Sequence, residues 1–329
     1  MPLVKLRDVA DLAGVSPATA SQVFSGNRPV AARTRQRVLA AASTLGYKPK
    51  EATRVIGVLV RPPEAITSFT TGTTSFSTIT GAVSLSLLHA GFTAFVCGSF
   101  DELLANSALL DGSVVLHPNF EDQAITELES HNIPVVALDR DPAATSYPWW
   151  VGVNYYASFI RLIQHMQEAG SKKIGLLIGE TDNVYRRSIL QAYSTLSESS
   201  GQRQLIRVLP NDGGAAAAQK MTNLLFSAAP DCDAILTSSS VFASGALAAC
   251  TERRLQVPSD VKIASVLDGS LAEKAPCPIT SMRLDTTLIA SQVVDLLERR
   301  LAKQAAPQVH QTVLLDLVPR RSTQAMDAG

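Results

Sequence analysis

The stretch from Leu6 to Phe24 confines the amino end of this chain to two short helices meeting at a sharp turn. Leu6, Val9, Ala10 and Ala13 recur at three and four residues, which marks one buried helical face opposite Arg7, Asp8 and Asp11. Gly14 supplies the positive φ of a tight turn, and Val15 tucks between the helices. Ser16 is a good N-cap and Pro17 loses nothing at the first helical position, so a second helix is predicted from there to about Phe24. It buries Ala20, Val23 and Phe24, leaving Pro17, Ala18, Ser21 and Gln22 on an outer face of small or polar groups. A third helix is predicted over Ala32–Leu45, with Val38, Ala41, Ala42 and Leu45 inward, Arg33, Arg35 and Arg37 in its first turns, and Gly46 as its cap.

Charge divides in the same place. The whole chain is neutral, with 29 basic and 29 acidic residues, yet residues 1–54 hold nine Lys and Arg against three acids. A head of net charge +6 therefore precedes a body of −6, the asymmetry expected when one part meets phosphate and the other stays in solution.

The run Asp8-Val-Ala, Ala13-Gly-Val-Ser, Thr19, Ser21, Val23, Val30, Thr34-Arg, Arg37-Val-Leu, Ala41-Ala, Leu45-Gly-Tyr and Pro49 closely resembles the amino-terminal signature of the LacI/GalR family of bacterial transcription regulators. The resemblance implies a helix-turn-helix head whose second helix enters the DNA major groove. Positions matching Pro17, Ala18 and Gln22 would then select bases, and those matching Ser16, Thr19, Ser21 and Thr34 would hold phosphates. Leu6, Arg28 and Tyr47 complete the expected DNA-binding set.

Two departures from the family pattern bear on what is read. Gln22 stands where an arginine is usual, which removes a guanine contact and suits adenine instead. Only six residues, 50–55, separate the head from the first body strand, and they contain no leucine to wedge into a minor groove, so a kinked operator centre is not expected. A solvated linker is the simpler reading, with Lys50 or Arg54 able to reach a phosphate.

The body alternates strand-like and helix-like segments. Apolar runs at 55–60, 92–97, 113–117, 133–138, 173–178, 205–209, 234–237 and 261–267 are separated by helix-period stretches at 79–89, 121–131, 156–168, 185–197, 215–227 and 241–253. Such alternation predicts parallel sheets covered on both faces, and its interruption at Trp149–Asn154 predicts two α/β subdomains. The body resembles the type I periplasmic-binding-protein fold that the family carries behind its head. The matching pieces are Asp111-Gly112, the segment 133–140, Gly170-Ser-Lys-Lys-Ile, Gly245-Ala-Leu, Val257-Pro-Ser-Asp-Val and Pro278-Ile-Thr-Ser. The expected organisation is a head over 1–49, a linker over 50–55, and an effector-binding and dimerisation domain over 56–321. Its first subdomain takes 56–153 and 285–308 and its second 154–284 and 309–321, with the strand 312–318 wholly in the second and a tail from 322.

By the same resemblance a small effector, a sugar or a nucleoside, sits between the subdomains. Asp268 and Asp139 match effector-facing carboxylates, Arg61 lies where the first strand opens into the cleft, and Ser239-Ser240 replaces the usual Asn-Asp pair. Ile189 replaces a usual arginine, so a sugar site would lack part of its equipment. The carboxylates could instead simply cap helices, and the alternative is a DNA-binding regulator whose effector is unusual or absent.

No GxSxG, HExxH, P-loop or CxxC occurs, and the five histidines lack catalytic spacing, which argues against an enzyme, a metal site or a bound cofactor. The four cysteines are expected to be buried thiols. Without a leader or an apolar run of about 18 residues, the protein is expected in the cytoplasm and, when bound to its operator, on the nucleoid, rather than as a solute-binding module of a transport pathway. One short recognition helix touches few bases, so a homodimer on a near-palindromic operator is the expected assembly, and nothing in the tail suggests a tetramer.

Overall fold

The computed structural model describes residues 5–25, 30–47, 53–61, 75–201, 203–307 and 310–324. It divides into two compact units, Met1–Arg54 and Val55–Gly329.

Among its described residues the first unit holds three helices, α1 (Leu6–Ala13), α2 (Pro17–Ser25) and α3 (Ala32–Leu45). Their small core consists of Val9, Ala10, Ala13, Ala20, Val23, Val38, Ala41 and Ala42, with Leu6, Val15, Phe24, Val30, Leu45 and Tyr47 packed around it. Gly14 takes φ 60° at the end of α1, and the Val15 N–H reaches back to the Ala10 carbonyl at 3.0 Å. Gly46 ends α3 in the same way, with the Tyr47 N–H on the Ala42 carbonyl at 2.8 Å. The Arg37 side chain does not join the other arginines of α3. Its guanidinium donates to the Ala13 carbonyl at 3.1 Å and 2.5 Å and to the Gly14 carbonyl at 2.9 Å, satisfying the exposed carboxyl end of α1.

The second unit has two lobes built on one plan. The first sheet contains β1 (Val55–Val60), β2 (Thr93–Cys97), β3 (Gly112–Leu116), β4 (Val135–Leu138), β5 (Trp150–Val153) and β11 (Thr312–Val313) in the order β11-β5-β4-β3-β1-β2. The second contains β6 (Ile174–Gly179), β7 (Ile206–Leu209), β8 (Ala234–Thr237), β9 (Lys262–Ser265), β10 (Thr280–Arg283) and β12 (Asp316–Val318) in the order β12-β10-β9-β8-β6-β7. All pairings are parallel except β10 with β12. The first strand of each sheet, β1 and β6, lies inside it next to the edge and reads as a nearly unbroken apolar run because helices cover both faces of each sheet. Gly245 marks one tight crossing: a Cβ there would stand 2.2 Å from the Ala215 carbonyl of the neighbouring helix Gly214–Ala228.

Three short crossovers join the lobes, at Asn154, at Leu284–Asp285 and at Leu314–Leu315. The helix Thr286–Leu301 returns the chain to the first core through Ile289, Val293 and Leu297. Two expectations are corrected here. The strand expected over 312–318 is split, with β11 parallel to β5 in the first sheet and β12 antiparallel to β10 in the second. Buried Leu315, packed in the second core, draws the chain across between them. The body also continues past residue 321. The Ser322 hydroxyl donates to the Ile263 carbonyl and accepts from the Thr280 N–H, and the Thr323 hydroxyl meets that of Thr280, burying both residues at the edge of the second sheet.

Replacing Arg37 by alanine should leave two carbonyls of α1 without a charged partner and cost the head about 1–2 kcal/mol. In the full chain, amide exchange in α1 and α2 should speed up roughly 5–30-fold, with the body unchanged. Unaltered exchange in α1 would show that the guanidinium contributes nothing.

Candidate functional site

The head presents α2 as an open face. Pro17, Ala18 and Ser21 are exposed and Thr19 and Gln22 half-buried, while Ala20 and Val23 face the core. The Ser16 hydroxyl accepts the Thr19 N–H at 3.1 Å and lies 2.9 Å from the Thr19 hydroxyl, fixing the entry of the helix. Small side chains and an acid-free first turn allow a phosphate or a base edge to approach the α2 backbone closely. Thr34 is half-buried in the first turn of α3 and Leu6 at the start of α1, and the Tyr47 ring packs 5.6 Å from that of Phe24. Arg33 and Arg35 are exposed. Arg28 lies outside the described residues, as do residues 48–52 at the start of the linker.

In the body, the chemistry gathers beyond the carboxyl ends of the strands, where sheets of this order open a crevice. His117 follows β3 and Asp139 follows β4, both with positive φ, 54° and 66°. Asp139 is 2% exposed, and its carboxylate accepts three bonds. They come from His117 Nδ1 at 2.8 Å, the Tyr155 hydroxyl at 2.8 Å and the Val153 N–H at 3.1 Å. Tyr155 belongs to the core of the second lobe, so this carboxylate ties the lobes together. Burial, followed by the Asp139 carboxylate, holds the Tyr155 phenol far above its ordinary pKa, and it remains a donor.

A second seam closes the cleft nearby. Asn119 bridges Asn183, the Phe120 N–H donates to the Asp182 carbonyl at 2.7 Å, and the Arg187 guanidinium lies 4.1 Å over the Phe120 ring. Arg187 also forms a two-pronged ion pair with Asp182 at 2.7 Å and 2.8 Å. Between the lobes lies a narrow cavity lined by Phe76, Ile79, His117, Tyr155, Asn183, Tyr185, Leu267 and Leu284.

The four candidate effector residues do not line that cavity. Arg61 pairs with Asp122, Nε to Oδ2 at 3.2 Å, and Asp122 in turn caps the helix Gln123–Ser130. Asp139 stands directly behind the cavity wall, reached through His117 and Tyr155. The Ser239 hydroxyl caps the helix Ser240–Glu252 by accepting the Phe242 N–H. Asp268 follows the lining residue Leu267, but its carboxylate is held by Arg320 at 2.8 Å and 2.9 Å, by the Ser281 hydroxyl at 2.6 Å and by Arg283 at 3.3 Å. Burial pushes the Asp268 carboxyl up, yet the Arg320, Ser281 and Gly269 hydrogen bonds outweigh it and keep it below the usual carboxylate value. All four cysteines are buried free thiols, and among the described residues no cluster of side chains could hold a metal ion.

Residues 5–50 match the model for bacterial regulatory proteins of the lacI family, and residues 163–323 match that for a periplasmic binding protein-like domain. The chain carries a lacI-family DNA-binding domain followed by a periplasmic binding protein-like domain. It is a DNA-binding transcription regulator, and its curated relatives carry the same role. The transcriptional repressor PurR of Mannheimia succiniciproducens is 24% identical over 97% of this chain and 98% of its own length. The transcriptional regulator MalR of Streptomyces coelicolor is 27% identical over 97% and 96%. Among solved structures, the lac repressor dimer bound to operator and the anti-inducer ONPF shares the fold with a TM-score of 0.71 at 24% identity, covering 98% of this chain and 100% of that one. The regulator CelR in complex with cellobiose gives 0.70 at 24% identity, covering 97% and 99%.

Sequence reasoning missed the cavity of this regulator because its walls come from residues without a polar motif. Phe76 and Tyr155 lie just ahead of the predicted helices 79–89 and 156–168 and Tyr185 opens the one over 185–197, and His117 lacked a spaced partner, since Asp139 reaches it only across neighbouring strands. The signal present was positional: His117 ends the predicted strand 113–117 and Asp139 follows the strand 133–138.

The Asp268 pair carries a pH signature. A carboxyl held below its unfolded value, about 3.9, contributes stability that is fully present above that pH and is lost as pH falls through the lower folded value. Urea unfolding of the body at successive pH values from 5 to 2 should therefore show a shallower acid loss in Asp268→Asn than in the parent. Equal slopes would remove Asp268 from the acid response.

Proposed function

We propose that this regulator represses transcription as a homodimer, each head laying α2 in the major groove of one half of a near-palindromic operator. The face of exposed Pro17, Ala18 and Ser21 and half-buried Gln22 above the Ser16 cap, on a head of net charge +6, supports the reading. Ser16, Thr19, Ser21 and Thr34 hold phosphates, joined by Leu6, Tyr47 and Arg28. Pro17 and Ala18 fit against base edges, and Gln22 reads adenine through its paired amide donor and acceptor. With no leucine in residues 50–55, the operator centre is bound without a wedge.

A small molecule in the cleft between the lobes controls that binding. The three short crossovers let one lobe turn against the other, and the Asp139–Tyr155 bond and the 119–120 to 182–183 seam distinguish a closed arrangement from an open one. The effector reading gains support from the CelR and lac repressor likenesses, both solved with a small molecule bound. Arg61, Asp139, Ser239 and Asp268 act in this reading as the frame around the effector. The regulator works in the cytoplasm, on the nucleoid when bound.

Selection of bound sequences from randomised DNA tests the reading directly. It should return a two-fold symmetric site with adenine at one fixed position per half, and Gln22→Ala should lose about 1–3 kcal/mol of preference at that position alone. A site with guanine there, indifferent to Gln22→Ala, would contradict the assignment. Recovery of no sequence preference would remove the operator reading itself.

A further inference from the structure

The cavity between the lobes is walled by two aromatic pairs, one from each side. Phe76 meets the His117 ring edge-on, with centroids 5.2 Å apart and planes at 90°, in the first lobe. Tyr155 and Tyr185 meet at 4.9 Å and 76° in the second. Ile79, Leu267 and Leu284 fill the rest of the wall with apolar surface.

The polar ends of these rings are turned to other partners. The Tyr155 hydroxyl donates to Asp139, the Tyr185 hydroxyl donates to the Ser238 carbonyl, and His117 Nδ1 is on Asp139. The charged groups around the strand ends are likewise engaged with each other, Arg61 with Asp122, Asp268 with Arg320 and Arg187 with Asp182. A polyol needs a donor or acceptor for nearly every hydroxyl it buries, and this wall does not provide them.

Two polar functions of the lining remain without a partner among the described residues. The Asp139 carboxylate only accepts, so His117 carries a proton on Nδ1, and its Nε2 has no partner among the described residues. Asn183 spends its carbonyl oxygen capping the helix Val184–Ser200 through the Arg186 N–H, which leaves its amide NH2 as a donor.

From this wall we infer that the cleft takes an uncharged flat ring, aromatic or heteroaromatic, that bears polar atoms on its edge, one of them an acceptor, and inserts between the two aromatic pairs. The ring faces match the edge and face contacts that Phe76, Tyr155 and Tyr185 offer. One polar edge atom meets His117 Nε2 and an acceptor meets the Asn183 amide. The inference rests on the reading of the cleft as an effector site and adds the chemical class.

Titration calorimetry on the full-length protein tests it, with quinolin-2-one, 4-hydroxybenzamide and adenine as flat-ring probes against glucose, maltose, cellobiose and ribose. At least one flat-ring probe should give saturable heat, and Phe76→Leu and Tyr185→Leu should each weaken it tenfold or more, while the sugars give none. Phe76→Leu keeps the Tyr185–Ser238 bond, so it reads the ring contact even where Tyr185→Leu disturbs the fold; retained operator binding shows that each variant is folded. A sugar that binds and shifts operator affinity, undiminished in Phe76→Leu, would overturn the ring class and leave the effector reading standing. Flat-ring binding unchanged in both variants would also overturn it. Silence from every probe, with operator binding unaffected by any of them, would overturn the class and count against effector control as well.

Discussion

One buried carboxylate holds the body together. Asp139 sits at the end of a first-lobe strand, 2% exposed, and takes bonds from a first-lobe imidazole, a second-lobe phenol and the Val153 backbone at the end of β5. A buried carboxylate is costly unless its lone pairs are filled, and here three donors fill them. The same bonds explain why His117 and Asp139 both keep positive φ. Backbone strain of roughly 1–3 kcal/mol at such a residue persists only when surrounding contacts over-determine it. The cleft is thus shaped by a polar centre behind its wall, and the wall itself is aromatic.

The two lobes repeat a single topological idea, and that repetition places the site. Each sheet runs through its first strand to a switch point, and the two sets of carboxyl-terminal ends supply the cleft from opposite sides. Three crossovers of one or two residues each make the lobes separable bodies on a short hinge. The head follows a different economy. Its core is mostly alanine and valine, which lets three short helices pack closely, and the Arg37 guanidinium secures the one helix end that the core cannot reach.

The head was legible from its punctuation, because Gly14, the Ser16-Pro17 pair and Gly46 each specify a local geometry that no distant contact overrides. The role of Arg37 was hidden, since nothing in the sequence distinguishes it from Arg33 and Arg35 as a solvent-facing charge. In the body, most strands were readable as apolar runs, but β5 carries tryptophan and glycine and looked like a break in the pattern. The segment 312–318 was read as one strand, whereas its two ends belong to different sheets. The cleft was least legible. Polar residues drew attention to Arg61, Ser239 and Asp268, which ion pairs and helix caps already occupy, while the aromatic wall carried no polar motif.

The account depends most on the bond that Asp139 accepts from Tyr155 across the lobes, and a double-mutant cycle measures it. Urea unfolding of the parent, Asp139→Asn, Tyr155→Phe and the double variant should give a coupling energy of about 1–3 kcal/mol, because what Asp139→Asn loses toward His117 and Val153 is the same in both backgrounds and cancels in the cycle. Additivity within about 0.5 kcal/mol would mean that the lobes are held by other contacts and that the carboxylate is not the centre of the cleft.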